Sequence, residues 1–425
     1  MKYKYREYES GLRLFVAPRE DTQAVTVMVL VGTGSNHEKS GEYGLAHFLE
    51  HMCFKGTTRR PNAFDVASEL DALGAQYNAF TSNEKTGYYI KARKDHLAQI
   101  VDVISDIYLN STFPEAEMQK EKGVVIEEIR MRNDDPGTVV YEEYLRQIHG
   151  EQSAGRPITG SVDSVKNFTQ KQLQSFHKKH YGGSNTVIVI SGAVDTRKAY
   201  RLVESKFADV RSGKPAKVVR IKKTQQAPNV GVVNRATDQA HLLLGFRAIP
   251  AGHKDEMTLR VLSTILGGSM SSRLFTKLRE EMGVAYYVGA SPEVYSSHGM
   301  LTLYAGVDKT RVKEVMNALL DEVKRLKTDL VWLGELERAQ EYLLGHLALD
   351  LESSNTVALF LGNQALKKEE VLTPKAYGER IRAVTGEAIM ELAQKIFTPK
   401  NATFAVIGPY RGTKQFEQTI AKYEW

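Results

Sequence analysis

The stretch TQAVTVMVLVGTG (residues 22–34) has a counterpart in DQAHLLLGFRAIP (238–250), in the other half of the chain. Each is an apolar, β-branched-rich run closed by turn formers, the pattern of a buried strand. At the same offset, SNTVIVISG (184–192) matches KNATFAVIG (400–408). Between these pairs, FPEAEMQKEKGVVIEEIRM (113–131) matches VWLGELERAQEYLLGHLAL (331–349) at nearly that offset, both with helical period. The chain therefore reads as a duplication. The expected domains are 1–212 and 229–425, joined by a basic linker at 213–228. Each half mixes strands with long helices and shows few strict βαβ alternations. An α+β domain with helices against one face of a mainly antiparallel sheet is the natural prediction. From the internal symmetry we expect the two sheets to face each other.

At 425 residues, two or more domains are expected. The net charge of +6 rests on 57 basic and 51 acidic residues, so neither sign dominates and no acidic partner is implied. The densest basic run, KPAKVVRIKK (214–223), reads as linker rather than nucleic-acid stripe, since aromatics are not interleaved with it. A single cysteine, Cys53, excludes an intramolecular disulfide framework and fits a reducing compartment. MKYKYREYESGLRLFVAPRE (1–20) has no apolar core of signal-peptide length, and no stretch approaches the ~18 apolar residues of a membrane span. A cytoplasmic protein is expected.

GLAHFLEHMCFKGT (44–57) carries the chemistry. At 100° per residue, Leu45, Phe48, Leu49 and Met52 form one apolar stripe, and His47, Glu50, His51 and Phe54 form another on the opposite side. Two histidines at i and i+4 can reach one zinc ion, with Glu50 one turn from His47. A solvated His/Glu face is the other reading of these residues alone, because two ligands do not hold a catalytic zinc. A third candidate sits in EKGVVIEEIRM (121–131). Glu121 and Glu128, seven apart, share a half-apolar face flanked by Val124 and Val125, while Glu127 points toward Lys120 and Arg130. Carboxylates on an inward face need compensation by a metal, a cation or ion pairs. We assign Glu128 as ligand and Glu121 as its support, against the alternative of two structural ion pairs.

H-x-x-E-H is the inverzincin signature, and here Glu128 follows it at a distance, on a separate helical segment. With GSNHEKSGEYGLAHFLEHMCFKGT (34–57), NAFTSNEKTGYY (78–89), the Glu121–Glu128 helix and SSRLFTKLREEMGVAYYV (271–288), the chain resembles the pitrilysin/insulinase family of zinc peptidases over nearly its whole length. The likeness is to the mitochondrial-processing-peptidase-like branch of bacterial half-size enzymes. The resemblance implies one zinc ion per chain held by His47, His51 and Glu128, with Glu50 as general base and Glu121 as the supporting glutamate. It also implies that Asn78 holds the peptide backbone on an edge strand. Arg279 and Tyr286 would reach the active site from the second half.

Family architecture further implies half of a clamshell, completed by a second copy or by a metal-free homologous subunit, which admits short unstructured peptides. A non-catalytic or partner-dependent peptide-binding subunit is the competing class, although such relatives usually lack members of the zinc set. His346 aligns with Glu128 but has no partner ligands, so it reads as structural. The His177 and His180 pair in FHKKHYGG (176–183) is expected to meet the last carbonyls of its own helix. Cys53 reads as a small buried hydrophobe.

Overall fold

The repeated strands become the centres of two sheets. The structure, a computed structural model, describes residues 1–223, 225–367 and 370–425. The first sheet comprises β1 (Lys4–Glu7), β2 (Arg13–Pro18), β3 (Ala24–Val31), β4 (Gln76–Thr81), β5 (Thr86–Arg93) and β6 (Thr186–Gly192), in the order β1-β2-β6-β3-β5-β4. The second comprises β7 (Asn229–Asn234), β8 (Gln239–Ala248), β9 (Ala285–Val294), β10 (Gly299–Asp308) and β11 (Ala402–Gly408), in the order β7-β11-β8-β10-β9. Apart from β1, the two orders correspond strand for strand. In each sheet one pair is parallel (β2 with β6, β7 with β11) and the other pairs are antiparallel. The chain is thus an α+β protein with duplicated, mainly antiparallel sheets.

The central strands are continuous apolar runs because both their faces are covered. In the first sheet, Val25, Val27 and Val29 pack into a core with helices Leu45–Cys53 and Leu97–Leu109, while Met28 and Leu30 pack against Val357 and Leu361. In the second, Leu242 and Leu244 face the helices Val312–Thr328 and Gly386–Ile396, while Leu243 and Ile407 meet Val140, Tyr144 and Ile148. One helix therefore lies on the face opposite the main helical layer in each sheet: Ser354–Leu366 on the first, Pro136–His149 on the second.

Those two helices occupy corresponding places in the two halves of the sequence, and they exchange sheets. The chain forms two compact units, Met1–Arg130 with Pro157–Lys217 and Ala348–Pro374, and Met131–Arg156 with Val218–Leu347 and Lys375–Trp425. The units differ from the sequence halves because the crossing helices bury their apolar stripes on the other half's sheet. Segment 213–228 is likewise divided, after Lys217, and Thr224 within it lies outside the described residues. Glycine permits the close fit: a Cβ at Gly245 would overlap the Tyr144 hydroxyl, and one at Gly362 would overlap Leu30 Cδ1. Among the described residues no helix is long and apolar enough to cross a membrane.

Candidate metal centre

The helix Leu45–Cys53 is set in place from its first residue. Gly44 has φ 92°, and a Cβ there would fall 2.5 Å from the Thr159 carbonyl, so only glycine fits. The Glu38 carboxylate accepts hydrogen bonds from the N–H groups of Gly44 (2.9 Å) and Ala46 (2.8 Å), occupying donors at the helix N-terminus. Leu45, Phe48, Leu49 and Met52 are fully buried, as their stripe predicts. That anchors the opposite stripe, with His47, Glu50 and His51, toward the helix Glu115–Asp134.

His47 Nε2 and His51 Nε2 lie 3.3 Å apart, and Glu128 Oε2 lies 3.6 Å from the first and 3.7 Å from the second. A tetrahedral zinc with bonds of ~2.0–2.1 Å separates its ligand atoms by about 3.3–3.4 Å. The three donor atoms therefore fit such an ion after a shift of a few tenths of an ångström in Glu128, and two imidazoles with one carboxylate are a donor set zinc accepts. Glu121 is buried and Glu127 exposed, as the helical phase predicts, but Val124 turns outward, 53% exposed, rather than flanking the site.

Glu121 holds His51 from behind. Its Oε1 is 2.8 Å from His51 Nδ1 and its Oε2 is 2.7 Å from Lys55 Nζ. With Nδ1–H donating to Glu121, the lone pair of His51 is on Nε2, facing His47 and Glu128. Burial alone would raise the Glu121 pKa, but hydrogen bonds from His51 and Lys55 outweigh it and hold the carboxyl below its usual range. For His51, burial disfavours the imidazolium, and the carboxylates of Glu121, Glu50 and Glu128 overcome that and raise its pKa. Glu50 is raised by burial, partly opposed by a 2.9 Å hydrogen bond from the Thr81 hydroxyl to Oε2.

Residues 14–162 match the model of the insulinase family, peptidase family M16, and residues 167–343 match the model described as the peptidase M16 inactive domain. The chain is 34% identical to the Bacillus subtilis protein named "Uncharacterized zinc protease YmxG", over 94% of this chain and 97% of that one. The chain belongs to the insulinase family, M16. It is also 33% identical to a Mycobacterium tuberculosis protein named as an uncharacterized zinc protease, over 96% of this chain and 94% of the relative. A Helicobacter pylori protease has the same fold, with a TM-score of 0.90 at 22% identity, covering 96% of this chain and 100% of that one. The peptidase M16 inactive domain from Pseudomonas fluorescens also superposes with a TM-score of 0.90, at 16% identity, covering 97% and 99%.

Within this M16 chain, the second-half residues meet one another. Gly306 pairs with Tyr287 and Val307 with Ala285, so Tyr286 is the extra residue of a β-bulge and is 59% exposed. Arg279 Nη1 donates to the carbonyls of Ala285 (2.7 Å) and Tyr286 (3.2 Å), bracing that bulge. Both residues lie in the second unit, and His47, His51 and Glu128 in the first. Asn78 is on the edge strand β4, in the register position opposite Tyr89. Tyr77 and Ala79 pack with the core beneath the H-x-x-E-H helix, so Asn78 lies on the other face. Its Oδ1 turns back to accept the Ala79 N–H at 2.8 Å.

Thr81, Lys55 and Glu38 were not singled out by sequence. Thr81 had a signal: it lies on the same strand as Asn78, at odd spacing, and so on the opposite, helix-facing side. Two histidines differ from expectation. His177 bonds to the Tyr108 carbonyl (2.8 Å) and His180 to the Thr33 hydroxyl (3.2 Å), because both rings are buried against neighbouring elements rather than turned to their own helix end. His346 is exposed, with its ring against Tyr342. Cys53 is buried as expected, and burial pushes its thiol up to about 12.

Proposed function

We propose that this M16 protein is a zinc-dependent endopeptidase acting on short, unstructured peptides. The observation that carries this reading is the triangle of His47 Nε2, His51 Nε2 and Glu128 Oε2, with edges of 3.3, 3.6 and 3.7 Å, beside a half-buried carboxylate, Glu50, that is not one of its corners. His47, His51 and Glu128 would hold one zinc ion per chain. When bound, zinc acidifies a water and polarises the scissile carbonyl. Glu50 has one carboxylate oxygen engaged by Thr81, which leaves Oε1 to accept a proton and deliver it to the leaving amine. Its burial-raised pKa suits a group that must do both near neutral pH.

The open edge of β4 offers the substrate a backbone to pair with. Ser82 N–H donates to the Lys85 carbonyl, so even-numbered positions of β4 bond toward β5 and those of Tyr77, Ala79 and Thr81 face outward. An extended peptide adding to that edge would free Asn78 from Ala79, and its amide would then hold the incoming backbone. Tyr286, on its braced bulge, would donate to the developing oxyanion, with Arg279 alongside. A second copy of the chain, or a metal-free homologue, would complete the enclosure that selects short peptides.

The test is cleavage of a mixed set of unstructured peptides by zinc-loaded protein, with Glu50→Gln as control and zinc content measured in both. Cleavage lost in the variant while zinc is retained supports the reading. Absence of stoichiometric zinc in the unaltered protein would overturn it in favour of a peptide-binding scaffold.

A further inference from the structure

The crossing helix Ser354–Leu366 covers β3 and β6 on one face of the first sheet, and its last turn ends beside β2. There the first unit holds a cleft of about 470 Å³, walled by Tyr5 and Glu7 of β1, Arg13 and Phe15 of β2, and Tyr3 and Val371. The register sets Tyr5 opposite Phe15 and Glu7 opposite Arg13, and residues two apart along a strand share a face. All four therefore stand on the side of the crossing helix. The helix that carries His47 and His51 packs on the other face, with Leu14 and Val16. The floor of the cleft is aromatic. Tyr3 and Tyr5 both tilt onto Phe15, with ring centroids 5.6 and 5.0 Å away. Their hydroxyls are tied down, Tyr3 to the Val371 carbonyl at 2.9 Å and Tyr5 to Glu7 Oε2 at 2.7 Å.

Glu7 and Arg13 are opposite charges directly across an antiparallel pair, an arrangement that ordinarily closes into an ion pair. Here they do not meet. Among the described residues neither has an ion-pair partner within 4.0 Å. Arg13 Nη1 donates instead to the Ala365 carbonyl at 2.6 Å, in the last turn of the crossing helix, and Glu7 is engaged by Tyr5 through one oxygen. Arg13 keeps further N–H donors, and Glu7 keeps its other oxygen. A half-buried guanidinium without a carboxylate is costly, and burial lowers its pKa accordingly. The missing elements are an anion beside Arg13 and a cation beside Glu7. Paired antiparallel residues have Cα atoms only about 4.5–5.5 Å apart, so one small molecule must carry both charges.

We propose that this cleft binds a free aromatic amino acid as its zwitterion, with the carboxylate on Arg13, the ammonium on Glu7 and the ring against Tyr3, Tyr5 and Phe15. An α-amino acid carries its two charges on a single carbon, which suits groups held this close. Its ring, one methylene further, reaches the Tyr5–Phe15 pair, which lies about 7 Å along the strands. Arginine is the natural partner of a carboxylate, and offset or tilted ring contacts add to the apolar burial. A residue inside a peptide carries neither charge, so the site selects the free amino acid and stands independently of the peptidase reading.

The experiment is calorimetric titration of the full chain with L-phenylalanine and three analogues. 3-Phenylpropanoate lacks the ammonium, 2-phenylethylamine lacks the carboxylate, and L-alanine lacks the ring. Phenylalanine should bind saturably and at least ~10-fold tighter than any of the three, a factor worth about 1.4 kcal/mol. Glu7→Gln, at an exposed position and with an acceptor kept for Tyr5, should bring phenylalanine down to the affinity of 3-phenylpropanoate. The affinity of 3-phenylpropanoate itself should not change. Arg13→Met should likewise erase the advantage over 2-phenylethylamine. That variant also loses the contact with Ala365, so Glu7→Gln is the deciding one. No saturable binding of phenylalanine up to about 10 mM, an affinity equal to that of an analogue, or a preference over 3-phenylpropanoate that survives Glu7→Gln would overturn the proposal. Binding at His47, His51 and Glu128 would give the last of these results, because Glu7→Gln leaves those residues unaltered.

Discussion

Glu121 Oε1 stands 2.8 Å from His51 Nδ1, on the side of the ring away from His47 and Glu128. That contact fixes both the tautomer and the orientation of the ring whose other nitrogen faces the metal position. Outer partners of this kind typically control 10–100-fold of metal affinity. Glu121→Gln should therefore weaken zinc binding by roughly that factor in competition with a chromophoric chelator. Lys55 loses its charge partner in the same variant, so Lys55→Met is the control. It should leave zinc affinity within a few-fold of the unaltered protein, since among the described residues Lys55 Nζ pairs only with Glu121 Oε2. If Glu121→Gln binds zinc as tightly as the parent, Glu121 does not act through His51.

The Thr81 hydroxyl donates to Glu50 and not to a metal ligand. Thr81→Val keeps the shape of the side chain and removes the donor. A hydrogen bond to a charged group is worth about 1.5–3 kcal/mol, so turnover should fall by at least about 10-fold if that bond orients the base. Zinc content should not change, and Thr81→Ser should restore most of the rate. A valine variant with undiminished turnover would show that Glu50 is positioned by its helix alone.

The duplication and the convergence of His47, His51 and Glu128 were legible in the sequence because both are periodic signals. β3 and β8 are separated by the same stretch of chain as β6 and β11, and helical phase separates Glu121 and Glu128 from Glu127. The exchange of Pro136–His149 and Ser354–Leu366 was not legible, since an amphipathic helix records that it buries a stripe but not on which sheet. Gly245 and Gly362 carry the record of that packing, but a glycine that admits Tyr144 or Leu30 looks in sequence like one that makes a turn. Thr81 was hidden for a related reason. A threonine in a strand is ordinary, and only the position of the H-x-x-E-H helix over β4 gives it a partner.

Two buried imidazoles in the second unit set a limit on acid stability. His149 and His298 meet edge to face, with ring centroids 4.9 Å apart, and among the described residues neither His149 nitrogen has a hydrogen-bond partner. Burial lowers the pKa of His149 to about 3 and that of His298 to about 4, with the nearby Arg247 guanidinium adding to both effects. A free histidine titrates near 6.5. Between those values the unfolded chain binds protons that the folded chain refuses, so stability is complete above about pH 6.5 and falls as the pH drops toward 4. Each ring contributes a loss on the order of 2–3 kcal/mol by about pH 4. His149→Phe should reduce the slope of melting temperature against pH in that window. An identical slope in the variant would assign the acid sensitivity elsewhere, for instance to His177 and His180, which burial also lowers.

Arg279 and Tyr286 pose a question that a double-mutant cycle answers. The Arg279 guanidinium donates to the backbone of the bulge that presents Tyr286, and that contact makes Arg279 a positioning residue for the phenol. If Tyr286 stabilises the oxyanion, Tyr286→Phe should lower turnover about 100-fold, the usual effect of losing one such donor. Arg279→Gln should then lower turnover by displacing the phenol, and the double variant should be little worse than Tyr286→Phe alone. Independent action of the two groups on the substrate would instead multiply the two losses. The distinction is sharpened by KM: a positioning arginine changes turnover and leaves KM near the parent value, whereas an arginine that binds peptide directly raises KM. Multiplied losses with a raised KM would move Arg279 from the bulge to the substrate.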